Sequence, residues 1–154
     1  MKSRTKARSI ALQVLYEIDL TGHLPGVALQ HRLEEEKIDD NQVEFITSIV
    51  MGVYPLIHQL DEFIAQHAPE WPLDQVAIID RNILRIALWE FAVEGCTPLK
   101  VAINEAIELA KLYGSDSTPR FVNGVLGSLA ERQNEITQSI KPAHPSDKNQ
   151  HSTE

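Results

Sequence analysis

The chain has 154 residues, 43% of them hydrophobic and 23% charged, and a formal net charge of -8 at pH 7. Its length suits one domain with a core large enough to fold unaided, and its composition resembles that of soluble globular proteins. The single cysteine, Cys96, excludes an internal disulfide and a cysteine-built zinc site, and it fits a reducing compartment. No uninterrupted apolar run approaches the ~20 residues of a membrane span. Glu17 and Asp19 interrupt the apolar stretch that a secretory leader would need, so a cytoplasmic protein with no membrane association is expected.

The charge is placed unevenly. Lys2, Arg4, Lys6 and Arg8 fall within "MKSRTKARSI", while every acid lies at Glu17 or beyond. The first helix is expected from about Arg4 to Leu20, stopped by Thr21-Gly22. At 100° per residue, Ala7, Ile10, Ala11, Val14, Leu15 and Ile18 form one stripe, which is the core face. Lys2, Lys6, Ser9, Gln13 and Tyr16 form an outward ridge, with Arg8 at its flank. A continuing helix would turn Arg4 toward the core, so the basic arm is expected to be loose alone and ordered by a ligand. Cations at a helix N-terminus oppose the macrodipole and cost a few tenths of a kcal/mol each. Their presence in a chain rich in acids points to an anionic partner, although a basic terminus that only aids solubility has the same composition.

The remaining pattern is helical nearly throughout. A shorter helix fits "GVALQHRLEEEKI" after Pro25. Asp39 or Asp40 caps "NQVEFITSIVMGVYPLIHQLDEFIAQHA", which Pro55 should kink near Val53-Tyr54. "PEWP" is a boundary, and Asp74 can cap "QVAIIDRNILRIALWEFAVEG", apolar on most sides and therefore central. In "CTPLKVAINEAIELAKLYG", Thr97 reads as the cap, Pro98 as the first position and Gly114 as the stop. "DSTPRFVNGVLGSLAERQNEI" makes a last helix, in which Gly124 would be justified by close packing. Residues 1–140 thus form one helical domain. The segment 141–154, with two prolines and no large apolar side chain, reads as a disordered tail.

Near the second end of this domain, "KLYGSDSTPRF" sets Tyr113 and Phe121 either side of a short loop, with Lys111 and Arg120 close by. Aromatic rings interleaved with cations suit single-stranded nucleic acid, whose unstacked bases lie on rings. Phe121 also fits a plain core position. Glu105 and Glu108 at i,i+3, with Lys111, read as a solvated ion-pair row rather than a metal or acid/base site. The six histidines have no ligand spacing, and no nucleotide loop or nucleophile elbow is present, so neither an enzyme nor a cofactor site is expected.

"LKVAINEAIELAKLYGSDSTPRFVNGVL" resembles the signature stretch of the bacterial NusB family of transcription antitermination factors. "RNILRIALWEF" and "ARSIALQVLYEIDL" resemble the family's central and first helices, in matching order. The similarity runs from about Lys2 to Glu135. It implies an all-α fold of about seven helices in two packed subdomains and a non-catalytic RNA-binding protein. It also implies pairing with NusE, a small-subunit ribosomal protein, and joint binding of single-stranded boxA RNA. The pair would help load an antitermination complex on RNA polymerase, chiefly on ribosomal RNA operons.

By this resemblance the RNA contacts fall on Lys2, Arg4, Lys6, Arg8, Gln13, Lys111, Tyr113, Ser117, Arg120 and Phe121. The NusE contacts fall on Tyr16, Asp74 and Asp80. Acids facing a basic ribosomal protein would steer association. Lys6 stands where an arginine is usual and offers a point charge in place of a fork. Many members carry an acid at the position of Ser117; here Asp116 is its neighbour. A protein adaptor without direct RNA binding and the regulatory domain of an RNA-modifying enzyme are the competing readings. Monomer and homodimer are both left open.

Overall fold

The computed structural model describes residues 2–68 and 75–140, and it is helical almost throughout with no strand among them. The tail expected after Lys141, the "PEWP" boundary and Asp74 lie outside these residues. Helix α1 spans Ser3–Thr21, α2 Pro25–Glu35, α3 Asp40–Val53 and α4 Ile57–Gln66. Helix α5 spans Ile78–Leu88, α6 Leu99–Tyr113, α7 Thr118–Ala130 and α8 Gln133–Ser139.

Local chemistry sets most of the ends. Gly22 closes α1 in the left-handed conformation (φ 73°), its N–H reaching the Ile18 carbonyl. Asp39 opens α3 with a capping box. Its carboxylate accepts from the Gln42 N–H at 2.8 Å, and the Gln42 side chain accepts from the Asp39 N–H at 3.1 Å. Pro55 does produce the expected break: a 3-10 turn, Tyr54–Leu56, joins α3 to α4. This joined run, Asp40–Gln66, is long and apolar enough by length and composition to cross a membrane. Its side chains Ile46, Ile49, Val50, Val53, Leu60 and Ile64 are nevertheless fully buried in the bundle core.

Four expectations are corrected. Helix α5 begins at Ile78 rather than near Gln75, with Ala77 at its N-cap and no side-chain cap. It ends in a π-helical turn, Trp89–Glu94, closed by Gly95 at φ 78°. Thr97 does not cap α6; its hydroxyl donates instead to Glu90 at 3.2 Å. The last helix breaks at Glu131-Arg132 into α7 and α8. A Cβ on Gly124 would meet nothing within 4 Å, so close packing is not its reason. The glycines that do sit against a neighbour are Gly52, over the Trp89 indole, and Gly114, over the Thr118 side chain.

Helix α5 is the centre, as its all-round apolar pattern predicts. Ile83, Leu84, Ile86, Ala87, Leu88 and Phe91 are all buried. On one side α1 packs against α2 and α3; on the other α6 packs against α7; α5 contacts both groups. Two buried ionic clusters pin the halves to this axis. Arg85 forks to Asp61 (2.7 Å) on α4 and reaches Asp19 (2.8 Å) on α1. Burial disfavours its charge, but the two carboxylates, Asp61 foremost, more than offset that and hold the guanidinium ionised. The second cluster contains Arg8.

Candidate nucleic-acid interface

The basic tip is helix, not a loose arm. Helical structure begins at Ser3, and the first turn is tied to the start of α3: Gln42 Nε2 donates to the Ser3 carbonyl at 3.1 Å. Arg4 is exposed and lies over the Phe45 ring, 4.2 Å from its centroid. Lys2 is exposed. Lys6 is half-buried, its Nζ donating to the Lys37 carbonyl at 3.3 Å. No acid stands in the first turn and no side chain caps it. The free N–H groups and the cations therefore form one positive end, suited to an anion.

Arg8 is not on that surface. It is 4% exposed, and its Nε and Nη2 donate to the Glu90 carboxylate at 2.9–3.1 Å, with Glu105 at 3.7 Å from Nη1. Glu105 also accepts from the Thr5 hydroxyl. It thus ties α1 to α6 instead of joining the solvated row with Glu108 and Lys111, which pair alone at 3.4 Å. The flanking position expected for Arg8 is corrected because a charged side chain was counted as solvated. Here Glu90 is buried inside the bundle and needs a counter-ion there.

The outward ridge is also interrupted. Tyr113, at the end of α6, lays its hydroxyl between Ser9 and Gln13: it bonds the Ser9 hydroxyl and accepts from Gln13 Nε2 at 3.0 Å. Ser9 is thereby only 4% exposed. Tyr16, 37% exposed, continues beyond this cover. Gln13, Tyr16, Leu20, Arg32, Ile79 and Tyr113 line a groove of about 470 Å³ between α1 and the start of α5. The structure therefore gathers Gln13 and Tyr113 with Tyr16, on the side expected for the protein partner.

The loop from Gly114 to Ser117 is fixed from below. Thr118, 1% exposed, accepts from the Ser115 N–H at 2.9 Å and donates to the Asp80 carboxylate at 3.1 Å. Asp80, Ser117, Arg120 and Phe121 line a cleft of about 500 Å³ with Gln75, Val76 and Ala77. Phe121 packs against the core, as the plain reading expects, and also lines the cleft, while Arg120 is exposed at the rim. Asp80 is half-buried. Desolvation raises its carboxyl above the usual range, and the Thr118 bond acts in the opposite direction. Lys111 is exposed on α6.

Three contributors were not anticipated. Phe45 was read only as part of a helix, yet it carries Arg4. Lys37 sits beside Lys6 and adds an exposed cation. Thr118 anchors the loop; its signal was a small hydroxyl residue in the first turn of a helix, four residues after a glycine. Among the described residues no three His, Cys, Asp or Glu side chains gather as a metal site requires.

The model of the NusB family matches residues 5–131. The transcription antitermination protein NusB of Roseiflexus sp. (strain RS-1) is 47% identical over 134 residues, 86% of this chain and 94% of the relative. That of Bacillus subtilis (strain 168) is 45% identical over 139 residues, 90% of this chain and 100% of the relative. Among solved structures, T. maritima NusB superposes with a TM-score of 0.80 at 27% identity, covering 90% of this chain and 99% of that one. A structure of antitermination factors NusB and NusE in complex with dsRNA matches with a TM-score of 0.76 at 26% identity, over 90% and 98% of the two chains.

Proposed function

The chain belongs to the NusB family, and from that premise we propose that it is a transcription antitermination factor. It binds single-stranded boxA RNA together with NusE and helps load the antitermination complex on RNA polymerase, chiefly on ribosomal RNA operons. The observation that carries this reading is the positive end of α1. Lys2 and Arg4 are exposed there, with Lys6 beside them and no acid in the turn, on a chain whose net charge is -8. A body so acidic repels polyanions on average, so RNA must be held locally. The cleft of Arg120, Ser117 and Phe121 supplies what the tip lacks, an aromatic face for a base beside a cation for its phosphate.

NusE takes the groove around Tyr16 and Ile79, next to Asp80 in the same first turn of α5; Asp74, the other acid expected to face NusE, lies outside the described residues. Lys111, exposed on α6, adds a further cation for RNA phosphates. The solved complex of antitermination factors NusB and NusE with dsRNA, to which this chain is similar, supports NusE and RNA as partners. Replacing Lys2, Arg4 and Lys6 together by Gln should strongly weaken binding of a boxA-like RNA and leave NusE binding intact. Tyr16→Asp should do the reverse. Retained RNA affinity in the triple variant would overturn the phosphate-holding role of the tip, and failure of the wild-type protein to bind RNA even with NusE would favour the adaptor reading, in which the acidic face does the work.

A further inference from the structure

The first turn of α5 is a ridge between two grooves. Ile79 lines the groove of Tyr16, Leu20 and Tyr113, whereas Val76, Ala77 and Asp80 line the cleft of Ser117, Arg120 and Phe121. The loop that connects α6 to α7 is held at both ends by these two surfaces. At its start, the Tyr113 hydroxyl is bonded to Ser9 and Gln13 of α1. At its end, the buried Thr118 hydroxyl gives its one proton to Asp80 and takes the Ser115 N–H. Gly114 lies so close over Thr118 that a side chain there would strike it. The path of the loop thus depends on where Thr118 is held.

We propose that the Thr118–Asp80 hydrogen bond is a positioning device that couples the two grooves, so that protein bound at Tyr16 and Ile79 and RNA bound at Ser117 and Phe121 tighten one another. This rests on the functional reading above, in which the grooves take those two ligands. Asp80 is then a positioning residue and not a contact to RNA, since a carboxylate beside phosphates repels them. Its half-buried carboxylate lines the RNA-side cleft with both oxygens within reach of the Thr118 hydroxyl, and its neighbour Ile79, in the same turn, lines the groove that a basic partner would fill. A partner that fixes the first turn of α5 fixes the loop before RNA arrives, and RNA that orders the loop fixes the turn for the partner. Such coupling is reciprocal, so the ratio of affinities with and without the other ligand is the same whichever is varied.

The test uses the full chain with Thr118→Val, which keeps the shape and removes the hydroxyl, and Thr118→Ser, which keeps the hydroxyl. Affinities for a boxA-like single-stranded RNA are measured with and without NusE, and amide hydrogen exchange is followed at Ser115, Asp116 and Ser117. Thr118→Val should weaken RNA binding in the presence of NusE by about ten- to a hundredfold, the loss expected for one hydrogen bond to a charged group. It should bring the coupling ratio close to one, speed exchange in the loop, and leave NusE affinity in the absence of RNA unchanged. Thr118→Ser should restore all three quantities. A structural role alone would lower stability without moving the ratio. A wild-type ratio, or unaltered loop exchange, in Thr118→Val overturns the coupling while leaving the function standing. Failure of the wild-type protein to bind RNA with or without NusE overturns the functional reading and the coupling with it.

Discussion

Arg8 and His67 are charged or chargeable side chains that the fold uses in opposite protonation senses. Arg8 supplies the counter-charge to Glu90, which lies against it with almost no access to water. Removing one partner of such a pair leaves a buried charge uncompensated. Arg8→Met should therefore cost about 3–5 kcal/mol in urea unfolding, with RNA affinity of the folded fraction retained. An unchanged stability with lost RNA binding would return Arg8 to the surface ridge. His67 must stay neutral. Its Nε2 receives Arg132 Nη1 at 2.9 Å, while its Nδ1–H donates to Ser128 at 2.6 Å. Burial first and Arg132 second hold its proton affinity below the ordinary imidazole value of 6.5, against the opposing pull of Glu131 and Glu135. The unfolded chain then protonates before the folded one does. The stability this ring contributes is full above pH 6.5 and is lost as the pH falls from there through the folded-state value. His67→Gln should flatten the dependence of the unfolding midpoint on pH below 6.5.

At the scale of the element, the glycines separate close contact from mere tolerance. Gly124 sits inside α7 facing open space, so Gly124→Ala should raise stability by about 0.5–1 kcal/mol through helix propensity and the unfolded chain. Gly52 faces the Trp89 indole, so Gly52→Ala should lower stability by about 1–3 kcal/mol. Thermal unfolding of the two variants side by side checks the contrast, and equal shifts would contradict it. The same elements show what the sequence could convey. The Asp39–Gln42 capping box, the Gly22 stop and the Pro55 break are local events, and each was readable from neighbouring residues. The core stripe of α1 was readable from periodicity alone. The pairing of Arg8 with Glu90, 82 positions away, has no local signal, nor has the cover that Tyr113 lays over Ser9 from 104 positions away. Periodicity assigns a face to solvent without knowing which distant side chain will occupy it. For the same reason Arg4 was read as unable to fit a continuing helix, although Phe45 gives it a place there.

Over the whole molecule, the charge separates into a positive end at the start of α1 and an acidic remainder. Two grooves meet along the first turn of α5. Electrostatics of this kind acts by exchanging counter-ions for cationic side chains, so it is read most directly from salt dependence. The central claim is that Lys2, Arg4 and Lys6 hold RNA phosphates. The most direct measurement of it is the affinity for a boxA-like single-stranded RNA, with NusE present, over a series of salt concentrations. The wild-type protein is compared with the chain carrying Gln at those three positions. Each phosphate contact on a single strand contributes about 0.7 to the slope of log affinity against log salt, so the wild-type slope should be steeper by about 2. Equal slopes for the two proteins would contradict the account, because the positive end of α1 would then release no ions when RNA binds.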